Sequence, residues 1–217
     1  QFFPRRQLKK DSAALERILD VWLAEKGPPA FVDTAITYGT EAMIGEYIAA
    51  HPGSRQRMFL GSKINAANQA LGVRQALERS LSLLRVRTID LYSIHSPKYP
   101  NFEETWMEME TLRAEGLLRR AGVSNFGVEE LRRLEGMPQV YANQIPLTPG
   151  DRRGLELAAY CRARGIEVHA CMPFRCLRDG RARAVAWVAA RRGGTLQQAG
   201  LSWLLSHGAA PGVGTSS

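Results

Sequence analysis

The sequence has few cysteines and no long apolar run, and each shortage excludes a class of protein. Three cysteines occur among the 217 residues: Cys161, Cys171 and Cys176. Three thiols make neither a disulfide framework nor a set of paired metal ligands, so we expect a cytoplasmic protein with reduced thiols and no metal. No apolar run approaches the about 20 residues that a membrane-spanning helix needs, so no membrane partner is expected.

The chain also lacks a signal-peptide pattern and the motifs of nucleic-acid recognition. Its first basic residues lead into an amphipathic helix and not into the apolar segment of a secretion signal. Lysine and arginine number 29 against 21 acidic residues, but they occur in scattered pairs without interleaved aromatic residues. We expect this charge to lie on solvated helix faces, with no nucleic-acid partner, although an anionic cofactor or substrate can use part of it.

What the chain does contain is an alternation of short apolar runs and helical patterns. Runs of strand composition end near residues 33, 63, 95, 124, 144, 171 and 214. Apolar residues at helical spacing separate these runs, so we predict a parallel α/β fold in one domain over residues 1–217. A (β/α)8 TIM-type barrel has one strand more, and Gln1-Phe2-Phe3 is the stretch that remains for it. We therefore expect either a barrel that is shortened at the N-terminus and in the late loops, or one whose remaining segments lie outside these 217 residues.

The ends of several elements are predicted from local signals. Thr40 precedes a run of apolar residues at helical spacing, so we expect it to cap a helix. A later helix is predicted from Phe102 to Leu117. The fourth strand is predicted over residues 121–124 and the fifth over residues 140–144.

Four polar residues stand at or just after the ends of the first three predicted strands: Asp33, Tyr38, Lys63 and His95. The carboxyl ends of parallel barrel strands meet on one rim, so we expect these side chains to converge. A free phenol has a pKa near 10, and a nearby cation such as Lys63 lowers it. Asp33 can pair with that cation, and His95 can donate a hydrogen bond to a substrate oxygen. The set therefore predicts a site that donates a proton.

Each of these residues also has a structural explanation when it is taken alone. An aspartate at a strand end is usually a turn residue, and a lysine there usually extends its charge to solvent. A single tyrosine is usually a rim side chain, and a single histidine usually has a structural role. The combination favours a site, because converging geometry across strand ends is what defines one.

Six short blocks resemble the aldo-keto reductase family in content, order and spacing: Val32-Asp33-Thr34-Ala35, Tyr38-Gly39, Gly61-Ser62-Lys63, Ile94-His95-Ser96-Pro97, Gly122-Val123-Ser124-Asn125-Phe126 and Asn143-Gln144. The resemblance is good over residues 11–174. It implies a (β/α)8 barrel that reduces an aldehyde or ketone to an alcohol with NADPH. It also implies that Tyr38 is the general acid, that Lys63 lowers its pKa, that Asp33 anchors Lys63 and that His95 orients the carbonyl.

The same resemblance implies residues that bind the nicotinamide carboxamide. Ser124, Asn125 and Gln144 occupy matching positions, and their hydroxyl and amide groups suit a ligand that both donates and accepts hydrogen bonds. Asn125 can also be the N-cap of the helix that begins near Val128. No Gly-x-Gly-x-x-Gly motif follows an early strand, so a Rossmann-type dinucleotide site is not expected.

The late part of the chain departs from the family pattern. Cys171 and Met172 stand where the family usually has an aromatic residue that stacks on nicotinamide, and we expect them to contact the cofactor; sulfur can pack on an aromatic face. A reactive Cys171 is the alternative, although no neighbour in the sequence indicates a lowered thiol pKa. Residues 175–183 form a short basic stretch, either a phosphate contact or a solvated loop. Gly214 and Thr215 match the start of the family's phosphate-binding loop.

Two other functions use the same fold. One is a catalytically silent barrel that binds a nucleotide or has a regulatory role, since fold alone does not establish function. The other is an elimination or isomerisation that uses the same acid without a redox step. The complete set of four polar residues favours carbonyl reduction, with a small-molecule carbonyl as the substrate.

Overall fold

The fold is taken from a computed structural model that describes residues 12–24, 27, 29–66, 71–177 and 182–213. These residues belong to two compact units. The N-terminal unit comprises residues up to 124 together with 136–138, and the C-terminal unit comprises residues 125–135 and those from 139 on. The single domain predicted over residues 1–217 stays a prediction.

The N-terminal unit alternates helices with four parallel strands. Its helices are α1 (Ser12–Ala24), α2 (Glu41–Ala50), α3 (Gly72–Leu84) and α4 (Phe102–Ala114), and its strands are β1 (Ala30–Asp33), β2 (Met58–Ile64), β3 (Ile89–Ile94) and β4 (Leu118–Ser124). Each strand pairs in parallel with the next one along the chain. The register places Asp33 beside Gly61 and Lys63 beside Ser93. The carboxyl ends of these strands therefore lie side by side.

The C-terminal unit continues the same alternation. It contains α5 (Val128–Arg133), β5 (Ala142–Pro146), α6 (Arg152–Ala163), β6 (Glu167–Cys171), α7 (Ala182–Arg192), α8 (Leu196–Ser206) and β7 (Ala209–Pro211). Strand β6 pairs in parallel with both β5 and β7. Within the described ranges, no helix has both the length and the apolar content that crossing a membrane requires.

The core of the N-terminal unit forms where the helical spacing of apolar residues predicts it. Residues at helical spacing on α3 and α4 are buried: Val73, Leu77, Leu81, Leu84, Trp106, Met109 and Leu112. Helices α2 and α3 approach closely at Gly45, where a Cβ atom would lie only 2.1 Å from the Leu83 carbonyl oxygen. A glycine at this point lets α2 pack tightly, and α2 begins beside the strand ends that carry the candidate site.

A buried carboxylate joins β2 and β3. Asp90, on β3, accepts a hydrogen bond from the Leu60 backbone N–H at 2.8 Å. The Arg55 guanidinium lies 2.7 Å from the same carboxylate oxygen and donates to the Met58 and Thr88 carbonyls. An ion pair that also satisfies backbone groups compensates for its own burial. This contact holds β2, and therefore Lys63, in register with β3.

Several predicted ends are wrong, and each error has a local cause. Strand β4 begins at Leu118 and not at residue 121, because its pairing with β3 starts at Ile89. Strand β5 covers Ala142–Pro146 and not residues 140–144, because its pairing with β6 extends to Pro146 and Cys171. Helix α4 ends at Ala114, and Gly116 turns the chain with a φ of +83°. The stretch Gln1-Phe2-Phe3, which is the candidate for an eighth strand, falls outside the described residues.

Two helical features differ from expectation. Thr40 occupies the N-cap position of α2, but its side chain makes no capping hydrogen bond. Residues 175–183 are predicted to be a phosphate contact or a solvated loop, and the structure begins α7 within this stretch, at Ala182. Helix α7 buries Val185 and Ala189, which are four residues apart. Arginine and alanine elsewhere in the helix obscure this spacing in the sequence.

Candidate active site

The structure brings the four candidate catalytic residues together in the N-terminal unit. Asp33 is the last residue of β1, Lys63 is next to last in β2, and His95 directly follows β3. Tyr38 ends a single turn of 3₁₀ helix, Ile36–Tyr38, in the loop after β1. Three strand ends and one loop therefore supply the site.

Lys63 is buried and held by two acceptors. Its Nζ donates to Asp33 Oδ1 at 2.5 Å and to the backbone carbonyl of Thr34 at 2.9 Å. The Lys63 side chain is only 2% exposed and that of Asp33 10%. A buried ammonium is costly unless it is paired and hydrogen-bonded, and these contacts meet both conditions. The ammonium group is therefore fixed in place at the end of β2.

Tyr38 lies between the lysine and the histidine. Its hydroxyl is 3.3 Å from His95 Nε2, and the two rings meet edge to face at 82°. Lys63 Nζ lies 5.3 Å from the centre of the Tyr38 ring. The Tyr38 N–H donates to the Ala35 carbonyl, and Gly39 then turns the chain with a φ of +71°. A phenol, an imidazole and an ammonium thus share one small region, which is the geometry that proton donation to a substrate oxygen requires.

The candidate cofactor residues lie at the ends of later strands. Ser124 is the last residue of β4 and is buried. The Asn125 N–H donates to the Gln144 carbonyl at 2.8 Å, and Asn125 has a φ of +63°. The alternative role of Asn125 as N-cap is wrong, because Gly127 is the N-cap of α5 and its N–H donates to Glu130.

Cys171 and Met172 lie where β6 ends. Cys171 is half-buried, and its carbonyl accepts from the Leu147 N–H at 3.1 Å. Met172 has a φ of +55°, which is uncommon for a residue with a side chain and directs the chain sharply out of β6. Gly214 and Thr215 lie outside the described residues.

Sequence analysis assigned no role in the site to four buried polar residues near it. They are Thr34, Thr40, Glu41 and Ser62. Strand side chains alternate between faces, so Ser62 points away from the face of β2 that Lys63 occupies, whereas Thr34 directly follows β1. For Ser62, this alternation was the signal in the sequence, because a buried hydroxyl on the side of a strand that faces a helix needs a hydrogen-bond partner. The partners themselves depend on how α2 packs.

Comparison with known proteins identifies the family. The family model described as "Aldo/keto reductase family" matches residues 7–217. The chain belongs to the aldo/keto reductase family. The predicted family is thereby confirmed, and so is the fold class, because family structures with a TIM-type fold superpose well on this chain.

Two family structures illustrate this similarity. The aldo-keto reductase from Klebsiella pneumoniae in complex with NADPH is 26% identical, with a TM-score of 0.82 over 100% of this chain and 78% of that one. The Bombyx mori aldo-keto reductase AKR2E4 in complex with NADP is also 26% identical, with a TM-score of 0.81 over 98% of this chain and 76% of that one.

Two curated relatives are named for the reduction of glyoxal and of methylglyoxal. The glyoxal reductase of Bacillus subtilis is 32% identical over 182 residues, which cover 82% of this chain and 65% of that protein. The methylglyoxal reductase YeaE of Escherichia coli is 34% identical over 217 residues, which cover 93% of this chain and 72% of that protein. The chain thus spans about 65% of the length of the Bacillus subtilis relative.

The buried carboxyl of Glu41, at the start of α2, predicts how the stability of the protein depends on pH. Burial raises the pKa of the Glu41 carboxyl above its ordinary value of 4.5, and the hydroxyls of Ser62 and Ser80 and the charge of Arg79 oppose this shift. Because the pKa of Glu41 is higher in the folded protein than in the unfolded chain, its contribution to stability is fully present below the unfolded pKa. This contribution is lost as the pH rises through the folded pKa. We expect Glu41→Gln to remove this dependence.

Urea unfolding at several pH values measures the effect. The stability of Glu41→Gln relative to the wild type should increase as the pH rises above 4.5, and should level off once the folded wild type has ionised. Glu129→Gln is the control, because the Glu129 side chain is 80% exposed. Parallel pH profiles for the wild type and Glu41→Gln would contradict the prediction.

Proposed function

We propose that this chain reduces an aldehyde or ketone to an alcohol, with NADPH as the hydride donor. The contact that carries the proposal is the Tyr38 hydroxyl, 3.3 Å from His95 Nε2 and beside the buried Lys63–Asp33 pair. The names of the Bacillus subtilis and Escherichia coli relatives and the NADPH complex from Klebsiella pneumoniae support it. Small carbonyl compounds such as glyoxal and methylglyoxal are the first substrates to test.

The four candidate catalytic residues have separate roles in one proton transfer. Tyr38 gives its hydroxyl proton to the carbonyl oxygen, which becomes the alcohol oxygen. His95 donates a hydrogen bond that orients this oxygen and helps to polarise the carbonyl. The Lys63 charge stabilises the phenolate that forms, and Asp33 holds the ammonium in place. General acid catalysis of this kind contributes about 10²- to 10⁴-fold in rate. A proton from solvent then restores Tyr38.

The residues available for the cofactor suit a nicotinamide. When bound, NADPH supplies the hydride that the carbonyl carbon accepts. Ser124, Asn125 and Gln144 provide a hydroxyl and two amides, the donor and acceptor set that a carboxamide needs. Cys171 and Met172 offer polarisable sulfur for the face of the ring. Gly214 and Thr215 match the start of the family's phosphate-binding loop and would contact a phosphate of the cofactor.

The proposed compartment is the cytoplasm, and the proposed partner is a small-molecule carbonyl. The three cysteines are thiols that form no disulfide with one another, and Cys161 and Cys176 are buried. Thiols kept in this state fit a reducing compartment. Burial raises the pKa of the Cys161 thiol, and thereby favours its protonated form.

Cofactor binding tests the proposal most directly. Titration of the purified protein with NADPH, and separately with NADH, is followed by quenching of the fluorescence of its four tryptophans. We expect saturable binding of NADPH and weaker binding of NADH. Gln144→Ala should weaken NADPH binding by about tenfold, since one amide hydrogen bond is lost. Thr195→Ala, at the N-cap of α8, is the control for a general loss of stability.

A carbonyl assay separates the outcomes. Consumption of NADPH with methylglyoxal or glyoxal, together with formation of the alcohol, supports reduction. Binding of NADPH without turnover would favour the silent barrel, and a product formed without NADPH would favour elimination or isomerisation. Absence of both binding and turnover would overturn the proposal.

A further inference from the structure

The start of helix α2 is connected to both strands that carry the Asp33–Lys63 pair. We define the α2 bracket as Thr34, Thr40, Glu41 and Ser62. All four side chains are buried; Thr34 is 0% exposed and Glu41 1%. Thr34 follows Asp33 in the chain, and Ser62 precedes Lys63. The bracket therefore lies directly behind the two residues that would support the acid.

Thr34 makes contacts to three parts of the site. Its carbonyl accepts from Lys63 Nζ at 2.9 Å, and its N–H donates to the Gly61 carbonyl at 2.9 Å. Its hydroxyl shares a hydrogen bond with the Thr40 hydroxyl at 2.7 Å. Tyr38 lies between these two threonines in the chain. The hydroxyl pair therefore closes the loop that presents the phenol.

Glu41 makes the corresponding contact to the next strand. The Ser62 hydroxyl donates to Glu41 Oε1 at 2.6 Å. Because Ser62 and Lys63 are consecutive, this bond fixes the strand at the point from which the ammonium projects. Thr40 and Glu41 are also consecutive. One short segment at the start of α2 thus fixes the loop of Tyr38 and the strand of Lys63 together.

The α2 bracket restricts the position of the loop that carries Tyr38. Asp33 and Lys63 lie on strands, whose positions the sheet determines, whereas Tyr38 lies on a loop, which is intrinsically more mobile. Reacting groups must be held within fractions of an ångström, and a displacement of about 1 Å can reduce a rate by about 10²-fold. The Thr34–Thr40 hydrogen bond joins the two ends of the loop, and the Ser62–Glu41 hydrogen bond connects the residue after the loop to β2. Two buried hydrogen bonds in these positions are suited to that task.

We propose that Thr40 and Glu41 are positioning residues that hold Tyr38 and Lys63 in register for proton transfer. The proposal rests on the proposed reductase function. Neither residue is expected to touch substrate or cofactor, so their effect passes through Tyr38 and Lys63. Loss of the bracket should slow the chemical step and leave substrate binding nearly unchanged.

Thr40→Val tests the proposal with a side chain of nearly the same shape that cannot form the hydroxyl bond. We expect kcat to fall about 10- to 100-fold, with KM changed by less than about threefold, as for an interaction needed only in the transition state. Thr40→Ser restores the hydroxyl and should recover most of kcat. Thr105→Val is the matched control, because Thr105 is a buried threonine on α4.

A second variant reaches the other half of the bracket. Ser62→Ala removes the donor to Glu41 and should also lower kcat by about tenfold or more. If Thr40→Val does not fold, Thr40→Ser and Ser62→Ala still provide the comparison. Amide hydrogen exchange over residues 34–40 gives a readout without activity, and should be faster in Thr40→Val than in Thr105→Val.

The isotope effect distinguishes positioning from a loss of folded protein. With NADPH deuterated at the transferred hydrogen, a slower chemical step should increase the isotope effect on kcat in Thr40→Val. A smaller folded fraction would lower the rate and leave the isotope effect unchanged, which would overturn the proposal. Wild-type kcat in both Thr40→Val and Ser62→Ala would overturn it as well. A wild-type protein that reduces no carbonyl and binds no NADPH would instead overturn the proposed function, and this proposal with it.

Discussion

Replacing Tyr38 with phenylalanine is expected to abolish turnover while the protein stays folded and continues to bind NADPH. The substitution removes one hydroxyl and leaves the ring, which packs edge to face against His95. The proton donor for the carbonyl oxygen is lost, so kcat should fall by at least about 10²- to 10⁴-fold. Steady-state kinetics with methylglyoxal, combined with the fluorescence titration, measures both effects.

Tyr160→Phe is the matched control for this variant. The Tyr160 hydroxyl donates to Glu135 on the surface of the C-terminal unit, so its loss removes a tyrosine hydroxyl outside the candidate site. We expect near wild-type turnover there. Full activity in Tyr38→Phe would show that another group supplies the proton, and His95 would be the next candidate because its Nε2 lies 3.3 Å from the Tyr38 hydroxyl.

Replacing Lys63 with methionine should eliminate turnover and also destabilise the fold. The variant removes the charge beside the Tyr38 ring, and loss of one such electrostatic contact reduces kcat by about 10²- to 10³-fold. It also leaves the Asp33 carboxylate, which is 10% exposed, without its ammonium partner. Breaking a buried pair on one side decreases the free energy of unfolding by about 3–5 kcal/mol. Urea denaturation and kinetics measure the two effects separately.

The double variant Asp33→Asn with Lys63→Met separates stability from catalysis. Neither charge is then left buried alone, so we expect a large part of the lost free energy of unfolding to return. Turnover should not return, because the charge beside Tyr38 is still absent. Lys98→Met is the control, since Lys98 is an exposed lysine of the same unit. Recovery of activity in the double variant would rule out a catalytic role for the Lys63 charge.

Local patterns were sufficient to predict the positions of the candidate acid and its supporting residues. Asp33, Lys63 and His95 end short apolar runs, and the rule that parallel strands share one rim predicts their convergence. The structure places all three at strand ends. Tyr38 was assigned to the loop after Asp33, where it lies. These predictions depend on strand type and strand end, which local composition determines well.

Predictions that depended on the partner of a side chain were less successful. Thr40 has the sequence signal of a helix cap, but its hydroxyl bonds Thr34. Asn125 has the same signal, but a φ of +63° and a hydrogen bond to Gln144 place it outside the helix, and Gly127 is the cap. For Thr40, a contact with Thr34 outside the helix replaces the capping hydrogen bond that the residue type favours. For Asn125, the helix begins two residues later than the capping signal indicates.

The sequence by itself determined the alternation of strands and helices, the family and the residue types of the candidate site. The alternation follows from apolar periodicity and the residue types from side-chain chemistry at strand ends, both of which are local properties of the chain. The family follows from the resemblance of six short sequence blocks to its members. Tertiary structure alone decided that the predicted pair of Lys63 and Asp33 is buried, and that the Tyr38 hydroxyl lies 3.3 Å from His95. It also decided that Thr40 and Glu41 connect the start of α2 to both strands. Such contacts depend on register and on helix packing, which bring together residues that no local pattern relates.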